Sequence, residues 1–150
     1  MSGIHYLYDT CIKGTLKKAP IKLVSILLCR LNKQIRAVFN SNIIAVHINT
    51  RVIKHIYDKR PAEECYFCIN NVRQTLKSPH QIYRNKSEKR GNYCFVKSIQ
   101  GNRCFVSIEE GLNNENSQPV FEVATIFRTT ETYLKSYELL WEWKGGESSS

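Results

Sequence analysis

One short segment of the sequence concentrates basic and titratable side chains at helical spacing. His55 and Lys59 are four residues apart, so on a helix they share one face, and Arg60 follows directly. An imidazole exchanges protons near neutral pH, and cations beside it can hold a phosphate. The segment therefore suits acid–base chemistry on a phosphate ester, although a solvated basic helix face has the same pattern.

A second basic set surrounds a lysine in an aromatic and apolar run. Alternation along Tyr93–Ile99 places Tyr93 and Lys97 on one face of a strand. Such a lysine is typical either of a protected edge strand or of a phosphate ligand beside rings that stack on bases. Lys89 and Arg90 lie in the polar loop before this strand and extend the basic set.

A third segment supplies hydroxyl groups and one more cation, through Thr125, Arg128 and Thr129. Strand propensity and helix capping are the simpler explanation of the threonines. Cleavage of RNA without a metal needs a base for the 2′-hydroxyl, an acid for the leaving oxygen, and groups that stabilise charge on the phosphate. The three segments together contain these residue types.

The distribution of charge favours a polyanionic partner. The 150 residues carry a formal net charge of +9. Residues 1–103 hold 19 basic and five acidic side chains, whereas residues 104–150 hold three basic and eight acidic ones. A positive field concentrated in this way attracts RNA, DNA or an anionic membrane surface. The basic segments have few carboxylates, which disfavours a two-metal nuclease.

The six cysteines indicate free thiols rather than a metal site. Cys65 and Cys68 have the spacing of half a zinc site, but they also lie at helical spacing among apolar residues. Cys94 and Cys104 are separated by nine residues, which suits facing strands of a hairpin better than the other half of that site. We expect no metal and no cofactor.

No segment of the sequence is long enough to span a membrane. The longest apolar run, Leu23–Cys29, has seven residues, against about 20 needed for a transmembrane helix. Four lysines precede this run, but Arg30 and Lys33 follow where a signal peptide has small residues. The expected location is therefore the cytoplasm, with no membrane partner.

Apolar spacing predicts helices in the first half of the chain. Spacings of three and four residues predict one long helix within Leu23–Phe39. A short strand is predicted at Ile43–Ile48, and two further helices on either side of Pro61, the second ending at Ser78.

From residue 81 the apolar period changes to two, which predicts strands. The predicted strands are Gln81–Arg84, Tyr93–Ile99, Arg103–Glu109 and Val120–Phe127. A last helix is predicted through Tyr133–Trp141, followed by a disordered tail over residues 145–150. The resulting fold class is α+β, with N-terminal helices packed on a four-stranded antiparallel sheet and a short C-terminal helix.

Four sequence segments carry a further pattern through their order and spacing: Ile53–Pro61, Pro79–Tyr83, Lys89–Lys97 and Val123–Arg128 with Tyr133-Leu134. In this order and spacing they resemble phage-associated nuclease domains of the barnase, EndoU, colicin and RelE-like superfamily. The resemblance implies a nuclease domain over residues 41–144, preceded by a helical extension over residues 1–40. It also implies metal-independent endoribonuclease activity in a phage, toxin or mobile element.

The resemblance implies a set of site residues as well. His55, Lys97 and Thr125 are the implied active-site residues, joined by Arg60, which stands where relatives are expected to have a second histidine. The predicted substrate contacts are Lys59, Lys89, Arg90, Tyr93, Arg128 and Thr129. The expected partners are RNA and either a neutralising antitoxin or a phage structural protein. An inactive RNA-binding module or a phage structural module of the same fold remains the alternative.

Overall fold

The structure, a computed structural model, describes residues 3–85, 92–113 and 115–144. Its helical elements are α1 (Gly3–Leu7) with a π-helical turn over Tyr8–Ile12, α2 (Lys33–Val38), α3 (Thr50–Lys59), α4 (Ala62–Lys77) and α5 (Glu131–Leu134). Its strands are β1 (Ser25–Arg30), β2 (Ala45–Asn49), β3 (Gln81–Arg84), β4 (Tyr93–Ile99), β5 (Asn102–Leu112), β6 (Pro119–Thr129) and β7 (Glu138–Glu142).

All seven strands form one mixed sheet in the order β1-β2-β6-β5-β4-β3-β7. Its centre is the antiparallel run β3-β4-β5-β6, whose turn at Gln100 and Gly101 has positive φ at both residues, as a two-residue hairpin requires. β2 joins β6 in parallel, and β1 and β7 form the two edges.

The predicted four-stranded antiparallel sheet with N-terminal helices is wrong, although the α+β class fits. The predicted long helix within Leu23–Phe39 is instead strand β1 followed by the short helix α2. The register of β1 against β2 shifts between Leu27 and Cys29, so the neighbouring Leu28 and Cys29 are both buried. This bulge removes the alternation that would have indicated a strand.

The predicted C-terminal helix is also shorter than expected. α5 has four residues, and its start is capped by Thr130, whose side chain accepts from the backbone N–H of Tyr133. The chain then forms β7, in which Leu139 and Trp141 pair with Tyr83 and Ile82 of β3. Pairing with an available sheet edge overrides the helical spacing of these apolar residues.

The main core lies between one face of the sheet and the helices. α1, α3 and α4 cover this face, where Phe95, Val106 and Ile126 contribute side chains that are almost fully buried. Ile4 and Leu7 of α1 belong to the same core, so residues near the N-terminus pack with the rest of the fold. A smaller aromatic cluster around Phe105 and Tyr137 lies on the opposite face.

Within the described residues, none of the helices has both the length and the apolar character that crossing a bilayer requires.

Candidate functional site

The candidate site lies beside the second half of β6, where helix α3 takes the place of a neighbouring strand. β2 pairs with β6 at two positions, Val46 with Phe121 and His47 with Glu122. The chain then leaves the sheet and enters α3, which packs against β6. This arrangement places the side chains of a helix along the edge of a strand.

A bulge bends β6 at the same place. The register between β5 and β6 shifts so that Ser107 pairs with Thr125 and Ile108 pairs with Val123. Ala124 is therefore an extra residue on β6. Bulges increase local twist and commonly occur beside active sites, where they redirect a side chain. Here the bulge immediately precedes Thr125.

The local sequence explains the position of α3. The side chain of Asn49 accepts a hydrogen bond from the backbone N–H of Val52 at 3.2 Å and so caps the helix. Val52 and Ile53 are buried against the core, whereas His55 is exposed. Arg51 and Lys59, each four residues from His55, are exposed on the same side of the helix.

A cavity of about 250 Å³ lies between α3 and β6, and we call it the His55 cavity. Its polar lining consists of Arg51, His55, Arg60 and Thr125. Four apolar residues complete it: Val52, Ile56, Ala124 and Ile126. No carboxylate is present among these described lining residues. The structure therefore brings together three of the four predicted catalytic residues, His55, Arg60 and Thr125.

Arg60 reaches over β6 from the end of α3. Its guanidinium carbon lies 5.8 Å from the centre of the Phe127 ring, in a cation–π arrangement. Its Nε lies 3.5 Å from a carboxylate oxygen of Glu64, in the first turn of α4. These contacts hold the guanidinium beside the cavity, while 47% of the side chain remains exposed to a ligand.

Arg128 lies next to this group and is paired with acidic residues. One terminal nitrogen lies 3.3 Å from Glu63 Oε1, and the other lies 4.0 Å from Glu64 Oε1. Glu64 is largely buried and thus lies between the two arginines. Because its charge is shared with two carboxylates, Arg128 is a weaker candidate for phosphate binding than Arg51 or Arg60.

The adjacent side of α3 is fixed by a largely buried ion pair, and Arg51 and His55 also line the cavity that contains this pair. Lys54 Nζ lies 2.8 Å from Asp58 and also donates to the Leu16 carbonyl and the Thr15 hydroxyl. Burial raises the pKa of Asp58, but hydrogen bonds from Lys54 and the Lys18 N–H outweigh it, so the pKa falls below its ordinary value. This pair anchors α3 to the loop that precedes β1.

Lys97 lies in a different cavity. It projects from β4, and its ammonium donates to the Ser78 carbonyl at 2.7 Å at the end of α4. The cavity that it lines has a volume of about 290 Å³ and also includes His80 and Trp143; we call it the Lys97 cavity. The structure thus separates Lys97 from the other predicted catalytic residues.

The remaining predicted substrate contacts lie in several settings. Lys59 is exposed on α3, one turn after His55. Tyr93 stacks on Phe39 with ring centres 4.1 Å apart, so one face of its ring is already occupied. Thr129 is buried beside the start of α5. Lys89 and Arg90 lie outside the described residues.

The cysteines do not converge on one site. Cys68 and Cys104 face the main core, whereas Cys94 belongs to the cluster on the opposite face of the sheet. Burial raises the pKa of Cys94 to about 12 and that of Cys65 to about 11, which keeps both thiols protonated. Across residues 3–85, 92–113 and 115–144, no group of three or more His, Cys, Asp or Glu side chains could hold a metal ion.

Two features of these cavities were missed by sequence reasoning. Arg51 carries a detectable signal, because it lies four residues before His55 on the same helix face. The grouping of His80 with Lys97 and Trp143 carries none, since β3, β4 and the segment after β7 meet only in the folded sheet.

Chemically, the His55 cavity combines one imidazole, two guanidinium groups and one hydroxyl. Guanidinium groups stay protonated and can bind two phosphate oxygens at once. A threonine hydroxyl can donate a further hydrogen bond, and imidazole is the side chain type that exchanges protons near neutral pH. The arrangement can therefore bind a phosphodiester and move a proton beside it.

Comparison with known proteins found no match: no protein-family model, no curated protein and no solved structure matches the chain.

Proposed function

We propose that the protein is a metal-independent endoribonuclease that cleaves RNA at the His55 cavity. The observation that carries the proposal is the convergence of Arg51, His55, Arg60 and Thr125 on one cavity without a lining carboxylate. A site of this composition attracts the phosphate backbone and has a group that can accept a proton from a ribose hydroxyl.

The proposed reaction is an internal transesterification. His55 takes the proton of the 2′-hydroxyl, whose oxygen then attacks phosphorus and forms the 2′-O–P bond. The bond from phosphorus to the 5′-oxygen breaks, and that oxygen takes a proton from the His55 imidazolium or from water. The products are a 2′,3′-cyclic phosphate and a free 5′-hydroxyl. Arg51 and Arg60 stabilise the negative charge that develops on the phosphorane oxygens.

Thr125 has a positioning role in this scheme. The bulge at Ala124 precedes it on β6, and it contributes to the cavity wall opposite α3. Its hydroxyl would donate to a non-bridging phosphate oxygen and orient the phosphate toward His55. Lys59, which is exposed one turn along the helix, extends the cationic stripe toward the neighbouring phosphate of an RNA strand.

RNA is the proposed partner, and the cytoplasm is the proposed location. The six cysteines are free thiols, which suits a reducing compartment. The superfamily resemblance, with a phage or toxin context and a neutralising antitoxin or phage structural protein as second partner, stays a prediction from the sequence.

Incubation with end-labelled single-stranded RNA in excess EDTA tests the activity. We expect fragments that end in 2′,3′-cyclic phosphate. His55→Ala should reduce their formation by about 100-fold or more, the usual contribution of a general acid or base. His5→Ala is the matched control, because His5 hydrogen-bonds Asn70 of α4 and does not line the cavity.

Binding by the same variants separates an enzyme from an inactive RNA-binding module. An enzyme should keep its RNA affinity in His55→Ala and lose cleavage. Cleavage that requires added divalent metal, or that persists in His55→Ala, would overturn the proposal. Intact RNA together with tight, salt-dependent binding would instead favour the inactive module.

A further inference from the structure

The Lys97 cavity has features of a second ligand site, separate from the proposed RNA-cleaving one. It lies where β4 and the segment after β7 meet the end of α4 and the start of α2. Its walls include Lys77, His80, Lys97, Trp141 and Trp143. None of its described lining residues carries a carboxylate, so its charged side chains are cationic.

His80 is held more rigidly than an exposed histidine. Its backbone N–H donates to the Val96 carbonyl at 2.9 Å, and its backbone carbonyl accepts from the backbone N–H of Trp143 at 2.7 Å. Its Nδ1 accepts from the backbone N–H of Ser98 at 3.0 Å. An Nδ1 that accepts leaves the proton of the neutral ring on Nε2, where it is a hydrogen-bond donor.

The imidazole of His80 is stacked on an indole. The ring centres of His80 and Trp143 are 5.1 Å apart and the ring planes are inclined by 17°. Trp143 nevertheless remains 47% exposed, and Trp141 contributes a second indole to the same cavity. Rings fixed in this way are an ordered aromatic surface on which a flat ligand can pack without a large entropic cost.

The ammonium of Lys97 is held in position by Ser78 at the end of α4. It donates to the Ser78 carbonyl at 2.7 Å and lies 3.4 Å from the Ser78 hydroxyl. Partial burial lowers the pKa of Lys97, and burial together with the nearby Lys97 charge lowers that of His80. A ligand anion would relieve both effects, because it supplies negative charge beside the two groups.

These contacts define what a ligand must offer. The ammonium groups and the Nε2–H donate, so the ligand needs anionic or acceptor oxygens. The indoles need a planar, weakly polar partner. The cavity volume of about 290 Å³ is at the lower limit of ordinary small-molecule sites, which start at about 300 Å³.

We propose that the Lys97 cavity binds a single nucleotide unit, with the phosphate at Lys97 and Lys77 and the base against the tryptophan side chains. Base–aromatic stacking and lysine–phosphate contacts are the usual components of such sites. The unit is either a free nucleoside monophosphate or the phosphorylated terminal nucleotide of an RNA strand. The proposal is independent of RNA cleavage at the His55 cavity.

Intrinsic fluorescence tests this site selectively, because Trp141 and Trp143 are the two tryptophans of the chain and both line the cavity. AMP should change the fluorescence in a saturable manner. Adenosine and inorganic phosphate, each of which supplies half of the contacts, should bind about tenfold more weakly or worse. An equal response to phosphate alone, or no saturable response to AMP, would overturn the proposal.

Variants assign the response to the cavity. Lys97→Met should weaken AMP binding about tenfold or more, the effect of one lost charge-assisted hydrogen bond, and Lys97→Arg should restore part of it. Lys77→Met, an exposed position, gives a second test if Lys97→Met is unstable in urea. Lys13→Met, at an exposed lysine that does not line this cavity, is the matched control and should leave the affinity unchanged. Unchanged affinity in both Lys97→Met and Lys77→Met would overturn the assignment.

A phosphorylated tetranucleotide and its unphosphorylated form show whether the cavity binds a strand end or a free nucleotide. His55→Ala is used for these measurements to prevent cleavage. If the cavity binds a strand end, a 5′- or 3′-phosphorylated tetranucleotide should bind more tightly than its unphosphorylated form and more tightly than AMP. If it binds a free nucleotide, AMP should bind at least as tightly as either oligonucleotide. Lys97→Met should abolish the preference for the phosphorylated oligonucleotide in the first case and the preference for AMP over adenosine in the second. A preference that survives Lys97→Met would overturn the proposal.

Discussion

The His55 and Lys97 cavities each combine a histidine with cationic side chains, but the two histidines are in different environments. His55 is exposed on a helix, between Arg51 and Lys59 at regular spacing. His80 is held by backbone hydrogen bonds and a stacked indole. Both ring nitrogens of an exposed imidazole are open to a substrate, whereas Nδ1 of His80 is occupied by the Ser98 N–H and only Nε2 is left for a ligand. The comparison shows that the exposure and hydrogen bonds of a histidine indicate its function better than its presence in a cavity does.

The largest expected effect is on stability, through the Lys54–Asp58 ion pair that anchors α3 beside the His55 cavity. Asp58→Asn leaves Lys54 buried without its carboxylate, and we expect a loss of about 3 kcal/mol in the free energy of unfolding at neutral pH. Urea unfolding measures this. Asp9→Asn, on an exposed residue, is the control and should change stability by less than about 0.5 kcal/mol.

The pH dependence of this loss follows from the pKa of Asp58, which is lowered in the folded state. A lowered carboxyl pKa contributes stability above the unfolded value of about 3.9, and the contribution disappears as the pH falls through the folded value. The difference between wild type and Asp58→Asn should therefore shrink below about pH 4. A difference that stays constant from pH 7 to pH 3 would contradict the role of the ion pair.

A pair of cation variants tests whether the two cavities are separate. Arg60→Met should lower RNA affinity about tenfold and reduce the slope of log affinity against log salt by about one. Lys97→Met should leave the rate of RNA cleavage within about twofold, because Lys97 does not line the His55 cavity. If Lys97→Met abolishes cleavage as His55→Ala does, the cavities act as one site and the comparison fails.

A smaller effect is expected from the hydroxyl on β6. Thr125→Val keeps the shape and strand propensity of the side chain but removes its hydrogen bond to the phosphate. The rate of cleavage should fall about three- to tenfold, the value of one net hydrogen bond. Thr132→Val, an exposed residue on α5, is the control. An unchanged rate in Thr125→Val would mean that Thr125 has no role in cleavage and that only His55 and the arginines act on the phosphate.

The smallest effect concerns the titration of His80. Burial and the charge of Lys97 lower its pKa below the ordinary value of 6.5. Its neutral form therefore contributes stability that is complete above about pH 6.5 and declines as the pH falls through the lower folded value. Tryptophan fluorescence should titrate with a midpoint below 6.5, and His80→Gln should remove that transition. A midpoint above 6.5 would contradict the environment assigned to His80.

The success of the sequence predictions depended on the range of the interactions involved. The helix that carries His55 was expected because its cap, its apolar face and its basic face all lie within about twelve consecutive residues. The antiparallel strands from Gln81 to Phe127 were expected for the same reason, since alternation and a tight turn are local. Strand β1 was missed because its bulge hides the period of two.

The site predictions divide in the same way. The sequence placed His55 and Lys59 on one helix face, since a spacing of four residues is enough to do so. The same spacing applies to Arg51, which was missed. Only the folded sheet decided that Thr125 faces this helix, that Lys97 does not, and that Lys97 lies with His80 and Trp143 instead. Strand order is set by packing between residues far apart in the chain, so no local pattern specifies it.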